Sequence, residues 1–261
     1  MSHKRPSVSA ALTVRSAKLI WLVAIVSGSI PVTAYGAPGP FGAHYVGSKR
    51  IAFLTARAQA TIQLQQERDH LKYTIASVVR LAFYKRRFYD CAIVSITANG
   101  LQPVEYRHRD DADSSLNVTT VFDWDGRVAK TQLGRDGEVR LQTLEGPTWD
   151  PLSFQLALMA RAISNQTHEV ARYQVIERGS LKHHEVHFAA PDSGDADQTG
   201  LFNIVSFKDE SRIELDLLPA KRFEPQRLMI EGVAFSRTEQ VVPPVEIADT
   251  GRLSCKDGES N

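Results

Sequence analysis

The chain has 261 residues, with 31 Lys+Arg against 30 Asp+Glu, 43% hydrophobic and 23% charged residues. This is ordinary globular composition and excludes a disordered, collagenous or low-complexity chain. A formal net charge of +1 gives no reason to expect nucleic acid as a partner.

The cations are unevenly placed. Residues 1–36 hold Lys4, Arg5, Arg15 and Lys18 and no Asp or Glu. Leu19 to Val26 is an unbroken apolar run, followed by Pro31 and the small residues Thr33, Ala34 and Gly36. A basic start, a short apolar run and small exit residues are the parts of a secretory signal peptide. Cleavage falls after Ala34 or after Gly36. The rival reading is a retained anchor, but the run is well short of the ~20 residues that span a bilayer, and Pro31 interrupts it. The expectation is therefore an exported, soluble mature chain without a transmembrane helix. Taking those four cations from 31 leaves 27 against 30 acidic residues, a net charge of −3.

Beyond residue 36 the dominant period is two. Leu71, Tyr73 and Ile75 alternate with Lys72 and Thr74, and Val104, Tyr106 and His108 with Glu105, Arg107 and Arg109. Val118, Thr120 and Phe122 alternate likewise with Asn117, Thr119 and Val121. Such alternation marks half-buried strands. Asn99-Gly100, Asp125-Gly126, Asp136-Gly137 and Arg178-Gly179-Ser180 supply the positive backbone angles of tight hairpin turns. Further strand-like runs cover 58–66, 88–98, 128–133, 138–144, 169–177, 181–189, 202–207, 212–217 and 226–231.

One segment breaks the pattern. Asp150 is an N-cap residue type followed by Pro151 at the first helical position. Leu152, Leu156, Met159 and Ile163 then recur at helical spacing, while Phe154, Leu158 and Ala162 widen the apolar surface beyond one stripe. A helix apolar on most of its circumference must be covered on several sides. The fold expected is mostly β, a curved antiparallel sheet or half-barrel with one main helix (about 150–164) against its concave face. It forms a single domain over 37–237, followed by a polar C-terminal tail, 238–261. A groove between helix and sheet could hold an apolar ligand, or the helix could simply plug the core.

Three polar clusters invite a chemical reading. His183, Glu185 and His187 share one face of a strand, and imidazole with carboxylate suits a zinc-type site. The run is one residue short of H-E-x-x-H, and a solvated hairpin face explains it equally well. Asp192, Asp195 and Asp197 with Gly194 faintly resemble a calcium loop but lack the twelve-position pattern, so a solvated turn is favoured. Asp123 and Asp125 flank Trp124 and read as hairpin residues. No nucleophile elbow, P-loop or dinucleotide fingerprint occurs, so no catalytic residue is nominated and no cofactor is implied.

Cys91 and Cys255 are the two cysteines, 164 positions apart. In an oxidising compartment they could pair. Against this, Cys91 falls in an apolar strand and Cys255 in a polar tail, so their pairing stays open. Arg80 to Tyr89 interleaves basic and aromatic residues in a way that could grip an anionic surface such as lipid head groups or glycans. The plainer reading is a connection with Phe83, Phe88 and Tyr89 packed inward and Lys85, Arg86 and Arg87 solvated.

Several marks in order resemble a bacterial exported family, the domain of unknown function numbered 3108. They are Pro40 to Tyr45, Gly100 to Arg109, Phe122-Asp123-Trp124 and the helix opening at Asp150 to Ala157. They span about residues 40–232. The chain departs from that family's pattern near its C-terminus, where 212–218 and 224–228 contain no Trp. The resemblance implies a periplasmic protein with a curved sheet around a helix, similar to lipoprotein carriers, and carries over no catalytic residues. The leading functional expectation is a non-enzymatic binding or carrier module for a lipid-like or apolar ligand. Its alternatives are a metal-dependent envelope enzyme using His183, Glu185 and His187, and a structural domain that binds an envelope protein.

Overall fold

A computed structural model describes residues 36–51, 54–164 and 170–189, the strands within 202–238, and Cys255. The first half is a continuous meander: β1 (Phe41–Ile51), β2 (Leu54–Glu67), β3 (His70–Leu81), β4 (Tyr84–Thr97), β5 (Gly100–Asp110), β6 (Val118–Asp123), β7 (Val128–Leu133) and β8 (Val139–Thr143). The short strand β9 (Thr148–Trp149) and the helix α1 (Pro151–Ile163) follow. A second meander then runs through β10 (Ala171–Glu177), β11 (Ser180–Ala189), β12 (Phe202–Lys208), β13 (Ser211–Leu218), β14 (Glu224–Ile230) and β15 (Val233–Thr238). Antiparallel pairing of β15 with β1 joins the two meanders into one fifteen-stranded sheet.

The sheet is curled but not closed. Its order runs from β8 at one edge to β9 at the other, with β9 parallel to β10. Across that seam the guanidinium of Arg140 on β8 donates to the Arg178 carbonyl at 3.2 Å and to Ser180 Oγ at 3.4 Å. A guanidinium, and no strand ladder among the described residues, thus links the β8 edge to the β10–β11 hairpin. Eight strands already enclose as much lumen as side chains can fill. Fifteen leave too much, and α1 occupies the excess.

The helix is buried nearly all round, with Leu152, Phe154, Leu156, Leu158, Met159, Ala160 and Ala162 inside. They pack with inward residues of strands from β1 to β13, including Tyr45, Ile62, Leu71, Tyr73, Val94, Val175, Ile204 and Leu215. A helix this short is marginal alone. Each of its large apolar side chains gains roughly 1.5–3 kcal/mol on burial, so packing decides its existence. Asp150 starts it: its Oδ1 accepts from the backbone N–H of Leu152 and of Ser153, both at 2.9 Å, and Ser153 Oγ accepts from Asp150 N–H at 2.9 Å. At the far end Ser164 N–H and hydroxyl both donate to the Ala160 carbonyl.

The turns read from Gly pairs all close hairpins, although Arg127 and Gly134, rather than Gly126 and Gly137, take the positive φ at two of them, and two further reversals without glycine also use the left-handed region. Arg68 and Ala82 take positive φ angles of 52° at the β2–β3 and β3–β4 reversals. A side chain there costs about 1–2 kcal/mol, and the unbroken register of the flanking strands outweighs it. At Val104 the alternation fails. A bulge between Ile93 and Val94 shifts the β4–β5 register, so Val104 packs with Cys91, Ile93 and Cys255, away from the core that holds Tyr106. The segment from Arg80 to Tyr89, read as a connection, is a strand end, a tight turn and a strand start. Phe83 at its tip is fully exposed instead of packed inward, because the turn carries it past the last β2–β3 pair, Ala56 and Leu81. Cys255 is tethered to Cys91 by a disulfide with Cα atoms 5.7 Å apart. The Asp192–Asp197 cluster lies outside the described residues.

Candidate functional site

A cavity of about 240 Å³ lies between the first two turns of α1 and the concave face of the sheet. Its walls are mostly apolar: Ala60 and Ile62 of β2, Ile75 of β3, Leu152, Phe154 and Leu158 of the helix, Val175 of β10 and Leu215 of β13. Period-two alternation brings the strand residues to one face. The wide apolar circumference of the helix supplies the other wall.

Polar groups border this space on two sides and on the helix. On one side Asp90 Oδ1 accepts from the Tyr106 hydroxyl at 2.9 Å and lies 2.8 Å from His108 Nδ1. On the other His184 Nε2 lies 3.0 Å from Glu177 Oε1, with the imidazole 5.0 Å from the Phe154 ring centroid. Gln155 faces the cavity from the helix and accepts from Tyr73 OH at 3.3 Å. Burial pushes the Tyr106 phenol well above its ordinary range, and the negative charge of Asp90 pushes it the same way. Burial works against a charged His108, but the hydrogen bond and charge of Asp90 outweigh it and raise the imidazole above its usual value. The buried Asp150 carboxyl is pushed up to about 6 by desolvation, which its Ser153 and Leu152 hydrogen bonds oppose. The cavity is thus a mostly apolar slot with two carboxylate–imidazole pairs at its margin.

His183, Glu185 and His187 lie on the opposite, exposed face of β11. His187 Nε2 sits 3.1 Å from Glu185 Oε1, and Arg172 Nε lies 3.7 Å from Glu185 Oε2. His183 borders a second, open hollow of about 830 Å³ with Trp149, Tyr173 and Arg161. Among the described residues no three His, Cys, Asp or Glu side chains are placed to hold a metal ion. Asp123 accepts from Gly126 N–H at 2.8 Å and serves its turn. His184, between the exposed histidines, is buried. Its signal was present: His184 alternates in phase with Val186 and Phe188, which places it on the apolar face.

No family model matches this chain, and no curated protein matches it. It is similar in fold to the crystal structure of a β-barrel-like protein of domain of unknown function DUF1849 from Brucella abortus, with a TM-score of 0.53 and 11% identity over 78% of this chain and 96% of that one. At that identity the likeness concerns the fold: a mostly β, barrel-like architecture shared with an uncharacterised bacterial domain. Among the described residues no helix is long and apolar enough to cross a membrane.

Proposed function

We propose that this chain is an exported, periplasmic, non-enzymatic binding or carrier module that holds an apolar portion of a lipid-like ligand between α1 and the sheet. The observation that carries the reading is the apolar cavity beside the helix. Typical ligand pockets measure ~300–1,000 Å³. A smaller slot fits a single acyl chain or one apolar side chain and is too small for a whole diacyl lipid. Asp90 and Glu177 at its margin favour a ligand whose adjoining part donates hydrogen bonds over one that is anionic there. Export is supported by the basic and apolar pattern of residues 1–36, and by the Cys91–Cys255 disulfide, which belongs to an oxidising compartment.

The test is mass spectrometry of protein recovered from its native envelope, combined with titration of a fluorescent acyl-chain analogue. Co-purified lipid and saturable binding are expected. A ligand-free protein that binds no analogue overturns the reading, and stoichiometric metal would favour the enzyme alternative.

A further inference from the structure

We propose that the β3–β4 hairpin is a docking element that seats the protein on an anionic phospholipid surface, with Phe83 entering the acyl boundary. This goes beyond the cavity reading and does not depend on it. The tip and the strand end beside it carry three exposed large hydrophobic side chains. Phe83 is exposed as fully as in an unfolded chain (102%), Tyr84 is half exposed, and Leu54 is exposed on β2. Leu54 lies two residues beyond the Ala56–Leu81 pair, level with the tip. The β4–β5 ladder ends at Phe88 and Asp110, so the first four residues of β4, Tyr84 to Arg87, reach about 13 Å past it at ~3.3 Å per residue.

Just behind the tip stands a row of cations. Register places Arg57 of β2 opposite Arg80 of β3, and Arg80 opposite Lys85 of β4. The three therefore lie side by side on one face across three neighbouring strands, all exposed. Like charges directly opposite destabilise a sheet. Nearby acids do not relieve them: Asp110 pairs with Arg86, and the Asp111 carboxylate accepts from Arg87 N–H at 2.8 Å. Among the described residues Arg57, Arg80 and Lys85 have no ion-pair partner.

An exposed aromatic tip and an uncompensated cation row each cost stability in water, and one partner relieves both. An anionic bilayer offers head-group phosphates to the cations and an apolar interior to Phe83, the arrangement by which interfacial elements anchor. A polyanionic glycan would meet the cations but give Phe83 nothing to enter.

The experiment is flotation of the full chain with vesicles of phosphatidylcholine containing a third phosphatidylglycerol, beside pure phosphatidylcholine vesicles. Each cation near an anionic surface is worth about fivefold in partitioning, so Arg57→Gln, Arg80→Gln and Lys85→Gln together should weaken binding roughly a hundredfold. Phe83→Ser should weaken it about tenfold or more, given the burial of one aromatic ring. Residues 19–26 are common to parent and variants, so the difference reports the hairpin alone. On binding vesicles, Phe83→Trp should show blue-shifted emission, relative to the parent, that brominated acyl chains quench. The thermal midpoint should hold or rise on loss of the cation row, which separates lost docking from lost folding. Equal flotation of parent and variants, or tryptophan emission from Phe83→Trp that vesicles leave unshifted, overturns the proposal. So does heparin binding that Phe83→Ser leaves unchanged while vesicles are ignored, which would assign the cations to a glycan.

Discussion

Replacing Asp150 by Asn should abolish a pH dependence of stability that the parent chain carries between about pH 4 and 6. The Asp150 carboxyl is wholly buried and is pushed from 3.8 up to about 6. Below pH 3.8 both the folded and the unfolded chain hold the proton, and the group contributes no pH dependence. Between the two values the unfolded chain releases it first, so the folded state loses stability as pH rises. The full effect is about 3 kcal/mol, from 1.36 kcal/mol for each pKa unit. Asn keeps an oxygen that caps Leu152 and Ser153 N–H but carries no charge. Ser153 hydroxyl, which donates to Asp150 Oδ2 at 2.6 Å, has the Asp150 carbonyl at 3.3 Å as a second acceptor. The variant should therefore gain on the parent by about 3 kcal/mol between pH 4 and pH 7. Urea unfolding of both proteins at half-unit pH steps measures that difference, and every other titrating group cancels from it. Parallel stability profiles would refute the argument that burial dominates over the capping hydrogen bonds. Asp150→Ala, which loses the cap as well, should cost a further ~1–2 kcal/mol at every pH.

The remaining predictions address the cavity margin, the slot and the disulfide. Asp90→Asn removes the carboxylate that holds the proton on His108, so proton NMR titration should find this imidazole ionising at lower pH than in the parent. In the parent the pair contributes stability that is present below the unfolded histidine pKa and lost as pH rises through the raised folded value; the variant should lack that loss. Ala60→Leu adds volume directly into the cavity, and should weaken acyl-analogue binding at least tenfold while the unfolding midpoint stays nearly constant; unchanged affinity would mean the ligand sits elsewhere. Reduction, or replacement of Cys91 and Cys255 by Ala and Ser, should lower stability by up to about 5 kcal/mol, because the bond closes a loop of 164 positions. Denaturant unfolding with and without reductant measures it.

Much of this architecture was legible in the chain. Alternation at Val118–Phe122, the Gly-containing turns and the Asp150-Pro151 helix start depend on contacts a few residues apart, where local sterics and hydrogen bonding decide; at Leu71–Ile75 the strand was legible, but Lys72, read with the polar face, is buried. Features decided by residues distant in sequence were not legible. Arg68 and Ala82 carry no turn signature, and their positive φ is imposed by two strands that must pair over their whole length. Val104 leaves its expected face because the bulge is a property of the β4–β5 pair. The polar context of Cys255 gave no hint of the strand that captures it, since a disulfide between such distant positions depends on where the sheet carries Cys91.

The same division holds for the functional surfaces. The amino-acid order by itself determined that these segments are strands, that one helix is apolar nearly all round, and that Arg80 to Tyr89 mixes cations with aromatics. Only the tertiary structure decided that the in-phase His184 meets Glu177, that Asp90 and Glu177 border one slot with Leu158 and Phe154, and that Phe83 points away from the core. Registry across strands far apart in sequence sets those neighbours, and no local propensity encodes it.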